Sequence, residues 1–147
     1  MQKLILFLTL FFAYGNLFAN EEYFLTLRNE KVNLRQGPSF DYPIKIFYKK
    51  KYLPVLIQES SSNFRKIRDH ENNSGWIHIS QLSKKKAAIV IEDELIMFSN
   101  STIYSNPIAL LKKGRLVKIK KCSDDWCKVV SGEFKGWLKK DSLWGLL

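Results

Sequence analysis

The chain is poor in the residues that catalysis and metal binding draw on. Among 147 residues there are two histidines and two cysteines. His70 lies in a polar stretch beside Asp69 and Glu71, whereas His78 alternates with Ile77 and Ile79 and is expected to face solvent from a strand. Neither belongs to a recognisable triad or ligand set, so no catalytic residue and no metal site are expected. Glu92, Asp93 and Glu94 are consecutive, which suits a solvated turn better than a pair of carboxylates sharing acid–base work. A single cysteine pair leaves no second ligand pair for zinc. Beyond residue 20 no stretch sustains a helical period, which excludes a helical bundle. No cofactor is expected.

What is present begins with MQKLILFLTLFFAYGNLFAN. Lys3 precedes an apolar run from Leu4 to Phe12, and small or polar residues lead to Ala19. That order is the order of a secretory signal peptide, with cleavage after Ala19. Tyr14, Gly15 and Asn16 interrupt the run before it reaches the ~20 apolar residues of a spanning helix. Leu17, three places before the cut, is less favourable there than alanine, so an uncleaved anchor is the second reading and the only one that implies a membrane. Export to a periplasmic or extracellular space is the expectation. It makes Cys122 and Cys127, in CSDDWC, a disulfide across a tight turn rather than a redox dithiol, which favours two intervening residues.

The formal charge is +10, and only Lys3 would leave with a signal peptide. Lysines come in bunches at Lys49–Lys51, Lys84–Lys86, Lys112–Lys113, Lys120–Lys121 and Lys139–Lys140. Such a surface favours anionic partners (acidic glycans, anionic lipid head groups, acidic proteins), and nucleic acid is not expected for an exported chain. Spread as they are, the lysines also suit strand edges kept from aggregating.

After residue 20 come short runs rich in Val, Ile, Phe and Tyr, from Tyr23–Leu27 to Gly136–Leu138, broken by Gly, Pro, Asn, Ser and Asp. The pattern predicts an all-β chain of small barrels or sandwiches. It is written twice. Phe64-Arg65-Lys66-Ile67 and Trp126-Cys127-Lys128-Val129 each read aromatic-x-Lys-aliphatic. Each is followed by a polar turn, then Gly75-Trp76 or Gly136-Trp137, an aliphatic residue, and Leu82 or Leu143. Upstream, Leu34–Pro38 aligns with Ile103–Pro107, which gives the first unit the longer early loop. The units are expected at 24–83 and 88–147. Their junction, Ser83–Ala87, is short enough that the barrels should pack or share a strand rather than swing freely.

Taken together, VNLRQGPSFDYP (Val32–Pro43), Leu53–Val55, FRKIRD (Phe64–Asp69) and GWIH (Gly75–His78) resemble the bacterial SH3-like (SH3b) domain family. So do NPIALLKKG (Asn106–Gly114), CSDDWCKV (Cys122–Val129) and FKGWLKKDSLWG (Phe134–Gly145). Phe64 stands where the family usually has Trp, and Tyr104 aligns with Arg35. The resemblance implies two small, highly bent antiparallel barrels, usually non-catalytic modules that bind cell-wall peptides, glycans or proteins.

Candidate sites follow. Trp76, Trp126 and Trp137, with Gly75 and Gly136, are expected as structural core, the glycines letting the strands bend. Arg35 could grip a ligand carboxylate with two parallel hydrogen bonds, or pair internally with Asp69 or Glu59 and pin the loop. Phe40, Tyr42, Phe47 and Tyr48, on a stretch with partly no counterpart in the second unit, are the candidate ligand-facing aromatics. A cell-wall peptide or glycan, or an envelope protein, is the expected partner. The oligomeric state is not readable.

Overall fold

The structure is a computed structural model that describes residues 20–147. The expected signal segment, residues 1–19, lies outside the described residues.

Strands and turns make up nearly all of it, as the residue pattern implies. The first unit contains β1 (Tyr23–Leu27), β2 (Val32–Arg35), β3 (Ile44–Tyr48), β4 (Pro54–Ser61), β5 (Phe64–Arg68), β6 (Ser74–His78) and β7 (Leu82–Ser83). The second contains β8 (Ala87–Val90), β9 (Glu94–Phe98), β10 (Pro107–Lys112), β11 (Leu116–Ser123), β12 (Trp126–Ser131), β13 (Phe134–Lys139) and β14 (Leu143–Trp144). Each set forms one seven-stranded sheet, with order β3-β2-β6-β5-β4-β1-β7 and β10-β9-β13-β12-β11-β8-β14. Position for position the orders are the same, so the repeat in sequence is a repeat in topology. The short 3₁₀ turns Ile79–Gln81 and Lys140–Ser142 lead into the last strand of each sheet.

Alternation decides which side chains fill the cores. In β6, Gly75 and Ile77 are buried while Trp76 and His78 are half-exposed; in β13, Gly136 and Leu138 are buried and Trp137 is not. The cores are therefore aliphatic. The first is built from residues such as Leu27, Leu34, Val55, Ile67 and Ile77, and the second from Val90, Met97, Val117, Val129 and Leu138. This corrects the placing of Trp76, Trp126 and Trp137 in the core: all three are half-buried on the outer faces. The parity is set by the glycines. A Cβ on Gly75 would lie 2.7 Å from the Arg35 carbonyl and from Leu34 Cγ, and one on Gly136 would lie 2.6 Å from the Phe98 carbonyl and from Met97 Cγ. Only glycine admits so close a neighbouring strand, and with glycine inward the adjacent tryptophan must point out.

Matching irregularities bend both sheets. The β4–β5 register shifts between Ile57 and Glu59, and the β11–β12 register shifts between Ile119 and Lys121. An extra residue at this point kinks the long strand and increases its twist, which lets an eight-residue strand wrap around a small core. The hairpins that follow turn through Ser62 and Asp124, both left-handed at φ 51° and 53°. The positive φ is the backbone that two-residue hairpins need.

The units pack through β8. All four of its residues are buried. Ala88 and Val90 belong to the second core, while Ile89 points the other way into the first, with Leu116 packed beside it. Phe24 meets Trp144 edge-to-face at 4.9 Å, and Gly145, at φ 126°, leaves room for Pro54 and the Ala87 carbonyl. One strand thus serves both cores, because its two faces alternate between them.

Candidate functional site

At one end of the first sheet, four side chains from different elements converge. Arg35 ends β2, Phe40 tops the β2–β3 loop, Phe64 starts β5 and His78 ends β6. Phe64 and His78 are direct partners across the β5–β6 pair, so their rings meet at 5.1 Å. Phe40 lies 5.2 Å from Phe64 and 5.1 Å from His78. The Arg35 guanidinium carbon stands 5.3 Å from the Phe40 ring centre. Phe64 is buried beneath this group, whereas Phe40 is 61% exposed and offers its open face to solvent.

Arg35 holds the loop in place. Its Nη1 donates to the carbonyls of Phe40 (3.1 Å) and Tyr42 (3.0 Å). It therefore does pin the loop, but through backbone carbonyls rather than the expected ion pair. Neither proposed acid is free for that pair. Asp69 is engaged elsewhere, and Glu59 lies 3.6 Å from Lys66. Below, the Tyr42 ring covers Gly37 so closely that a Cβ there would lie 2.5 Å from it. Ser39 and Asp41 close the tip, with the Asp41 amide donating to Ser39 Oγ at 3.0 Å. His78 Nδ1 accepts from the Ser80 amide at 3.2 Å and lies 2.8 Å from Ser80 Oγ, which fixes the ring.

The other candidate aromatics separate. Tyr48 is buried, not ligand-facing: its hydroxyl donates to Asp69 Oδ2 at 2.8 Å. Burial first, then the bond and the charge of Asp69, pushes its phenol well above the ordinary tyrosine value. Asp69 itself accepts from the amides of Glu71 (2.9 Å) and Asn73 (2.8 Å) and from Asn73 Nδ2 (2.9 Å). It is the hub of the β5–β6 turn. Phe47 is exposed but stands apart from Phe40, beside Lys31, Asn33 and Lys49.

The register also corrects the alignment of the units. Arg35 pairs with Trp76 and Phe98 pairs with Trp137, so Phe98, and not Tyr104, stands in the place of Arg35. The amide of Gln36 donates to the Pro43 carbonyl as the amide of Ser99 donates to that of Asn106. The loops 36–43 and 99–106 are equally long. Matching Pro38 to Pro107 displaces the second loop, and with the loops closed alike the longer early loop expected of the first unit disappears. What differs is chemistry. In the second unit Phe98 meets Trp126 at 5.9 Å, and Lys139, partner of Trp126 as His78 is of Phe64, lies 5.7 Å from the Trp126 ring. Ile103 and Tyr104 are exposed at the loop tip.

Phe64 and His78 were not legible as members of a site. The usable signal was the alternation around Ile77: once Ile77 points inward, His78 shares an outer face with Trp76 and lies opposite Phe64. Among the described residues no group of three potential metal ligands forms a site, and no helix is long and apolar enough to cross a membrane. The Cys122–Cys127 disulfide is formed, joining directly paired positions of β11 and β12 with Cα atoms 4.0 Å apart.

Two bent barrels in tandem, each with an aromatic end face and an aliphatic core, define a class of small all-β scaffold. The family model described as the bacterial SH3 domain matches residues 28–84 and again 92–145, and the chain belongs to that family. No curated protein matches it. Two solved structures from Trichomonas vaginalis, NlpC2 and NlpC1, are similar at 14% identity, with TM-scores of 0.39 and 0.38. Each likeness covers 84% of this chain, but the chain spans only 48% and 45% of those chains.

Proposed function

We propose that this chain is a non-enzymatic, exported binding module that recognises a cell-envelope ligand, peptidoglycan or its peptides, through the end face of its first unit. The carrying observation is the Phe40 ring, exposed yet fixed by Arg35, Phe64 and His78. A ring held by neighbours on three sides loses little freedom when a ligand covers it. Its open face suits a sugar ring or an apolar peptide side chain, and the arginine beside it suits a carboxylate. Members of the family generally bind cell-wall components, which supports the reading. Export rests on the apolar first segment, and the disulfide is consistent with an oxidising compartment.

Co-sedimentation with purified peptidoglycan is the test. The native chain should pellet with it, and Phe40→Ala should lower the affinity about tenfold with an unchanged melting temperature. Absence of retention, together with capture of one envelope protein in cells, would assign the face to protein assembly instead.

A further inference from the structure

The connection between β3 and β4 holds Tyr52 at φ 66°, a backbone that bulky residues rarely adopt. Its amide donates to the Leu27 carbonyl at 2.9 Å, and the Leu27 amide donates to Leu53 at 3.0 Å, so the main chain fixes where the ring stands. Three ammonium groups surround that one ring. Lys118 Nζ lies 4.8 Å from its centre, Lys51 Nζ 5.1 Å and Lys85 Nζ 5.6 Å. They come from the β3–β4 connection, the strap between the units and β11, so only the packing of the two units brings them together.

The strap is fixed as well. Thr26 Oγ1 donates to the Lys85 carbonyl at 2.8 Å, and the Ile119 amide donates to the Lys86 carbonyl at 3.0 Å. Among the described residues none of the three lysines forms an ion pair with a carboxylate. The negative face of the ring offsets only part of their mutual repulsion. Burial pushes the Tyr52 phenol up, but the field of Lys51, Lys85 and Lys118 outweighs it and holds the phenol below its ordinary value.

A second feature adjoins the first through Lys85. Lys84, Lys85 and Lys86 also rim an open groove of about 450 Å³, lined on its apolar side by Tyr23, Phe24, Leu25, Leu146 and Leu147. A free phosphate would use the lysines alone, and so would a soluble polyanion. Cations beside an open apolar groove fit an amphiphile, with ammonium groups at the headgroup level and aromatic and leucine side chains at the acyl boundary. We infer that the junction of the two units, with Lys51, Lys85 and Lys118 around Tyr52 and the Tyr23–Leu146 groove beside them, docks onto the phosphate headgroups of an anionic lipid surface. This surface is distinct from the Phe40 face and does not depend on what that face binds.

The test is co-sedimentation of the full chain with phosphatidylcholine vesicles and with vesicles in which roughly a third of the lipid is phosphatidylglycerol. The variant Lys51→Gln/Lys85→Gln/Lys118→Gln is measured in parallel. Both chains carry the same first 19 residues, so their difference reads the lysines. The native chain should prefer the anionic vesicles, and the triple variant should bind them about a hundredfold more weakly, at about fivefold per lysine near a charged surface. Raised salt should weaken the native chain more than the variant. Leu146→Ser should lower affinity several-fold while leaving the salt dependence as it was. Should the triple variant fail to fold, Lys51→Gln alone, on an exposed connection, should still cost about fivefold. Equal binding of native chain and folded variants to anionic vesicles would overturn the proposal. So would tight binding of soluble polyphosphate with no gain on vesicles, which would assign the lysines to a soluble polyanion.

Discussion

Asp69 is almost completely enclosed, and both its carboxylate oxygens accept two hydrogen bonds each. Removing a carboxylate so placed strands several donors away from water, so Asp69→Ala should cost about 3 kcal/mol in chemical denaturation. Tyr48→Phe leaves a less completely satisfied carboxylate and should cost about 1 kcal/mol. The same bond sets an alkaline limit. The folded state holds the Tyr48 phenol above its ordinary value of 10.0, so the unfolded chain releases that proton first as pH rises. The contribution is complete below about pH 10 and is lost above it. Absorbance titration should find a tyrosine that ionises only as the chain unfolds, and Tyr48→Phe should flatten the fall in stability above pH 10. At this scale the sequence misleads in a definable way. Tyr48 reads as one of four loop aromatics, but alternation along β3 turns it inward while Phe47 points out. A single aromatic run cannot reveal which residue a distant acid will claim.

The hairpins and strand pairs explain why the repeated Gly-Trp exists. Its glycine is the point where β2 crosses β6, or β9 crosses β13, too closely for any side chain. Gly75→Ala should force β2 away from β6 and cost about 1–3 kcal/mol, with amide protection lost first in those two strands. The β11–β12 hairpin is stapled at a sequence separation of five residues. A loop that short restrains the unfolded chain modestly, so Cys122→Ser with Cys127→Ser should cost about 2 kcal/mol and lower the melting temperature by several degrees. Most strands were legible from their apolar runs, because Val, Ile and Phe between turn residues leave few alternatives. The loop register was not. Pro38 after Gly37 and Pro107 after Asn106, both turn-forming pairs, look equivalent in sequence, yet only the strand partners, Arg35 with Trp76 and Phe98 with Trp137, reveal the true correspondence. The face built by Phe40 was half-legible for the same reason: its loop carries an obvious aromatic, but its support comes from strands far along the chain.

Across the whole molecule the two barrels are joined through β8 and carry two dissimilar surfaces. Ile89 sits in the second sheet but fills the first core. Ile89→Ala should therefore cost about 2–4 kcal/mol and lower hydrogen-exchange protection in β4 and β5 as well as in β8. Protection lost in β8 alone would mean that the units fold independently. An aliphatic core in each and the paired glycines make the barrels alike. The end faces make them different, with Arg35, Phe64 and His78 on one and Phe98, Trp126 and Lys139 on the other. That asymmetry is measured most directly by nuclear magnetic resonance titration of the isotope-labelled chain with a soluble peptidoglycan fragment. The shifts should be confined to Arg35–Tyr42, Phe64 and His78, and should vanish in Phe40→Ala. Shifts centred on Phe98, Trp126 and Lys139, or none in either unit at millimolar fragment, would contradict it.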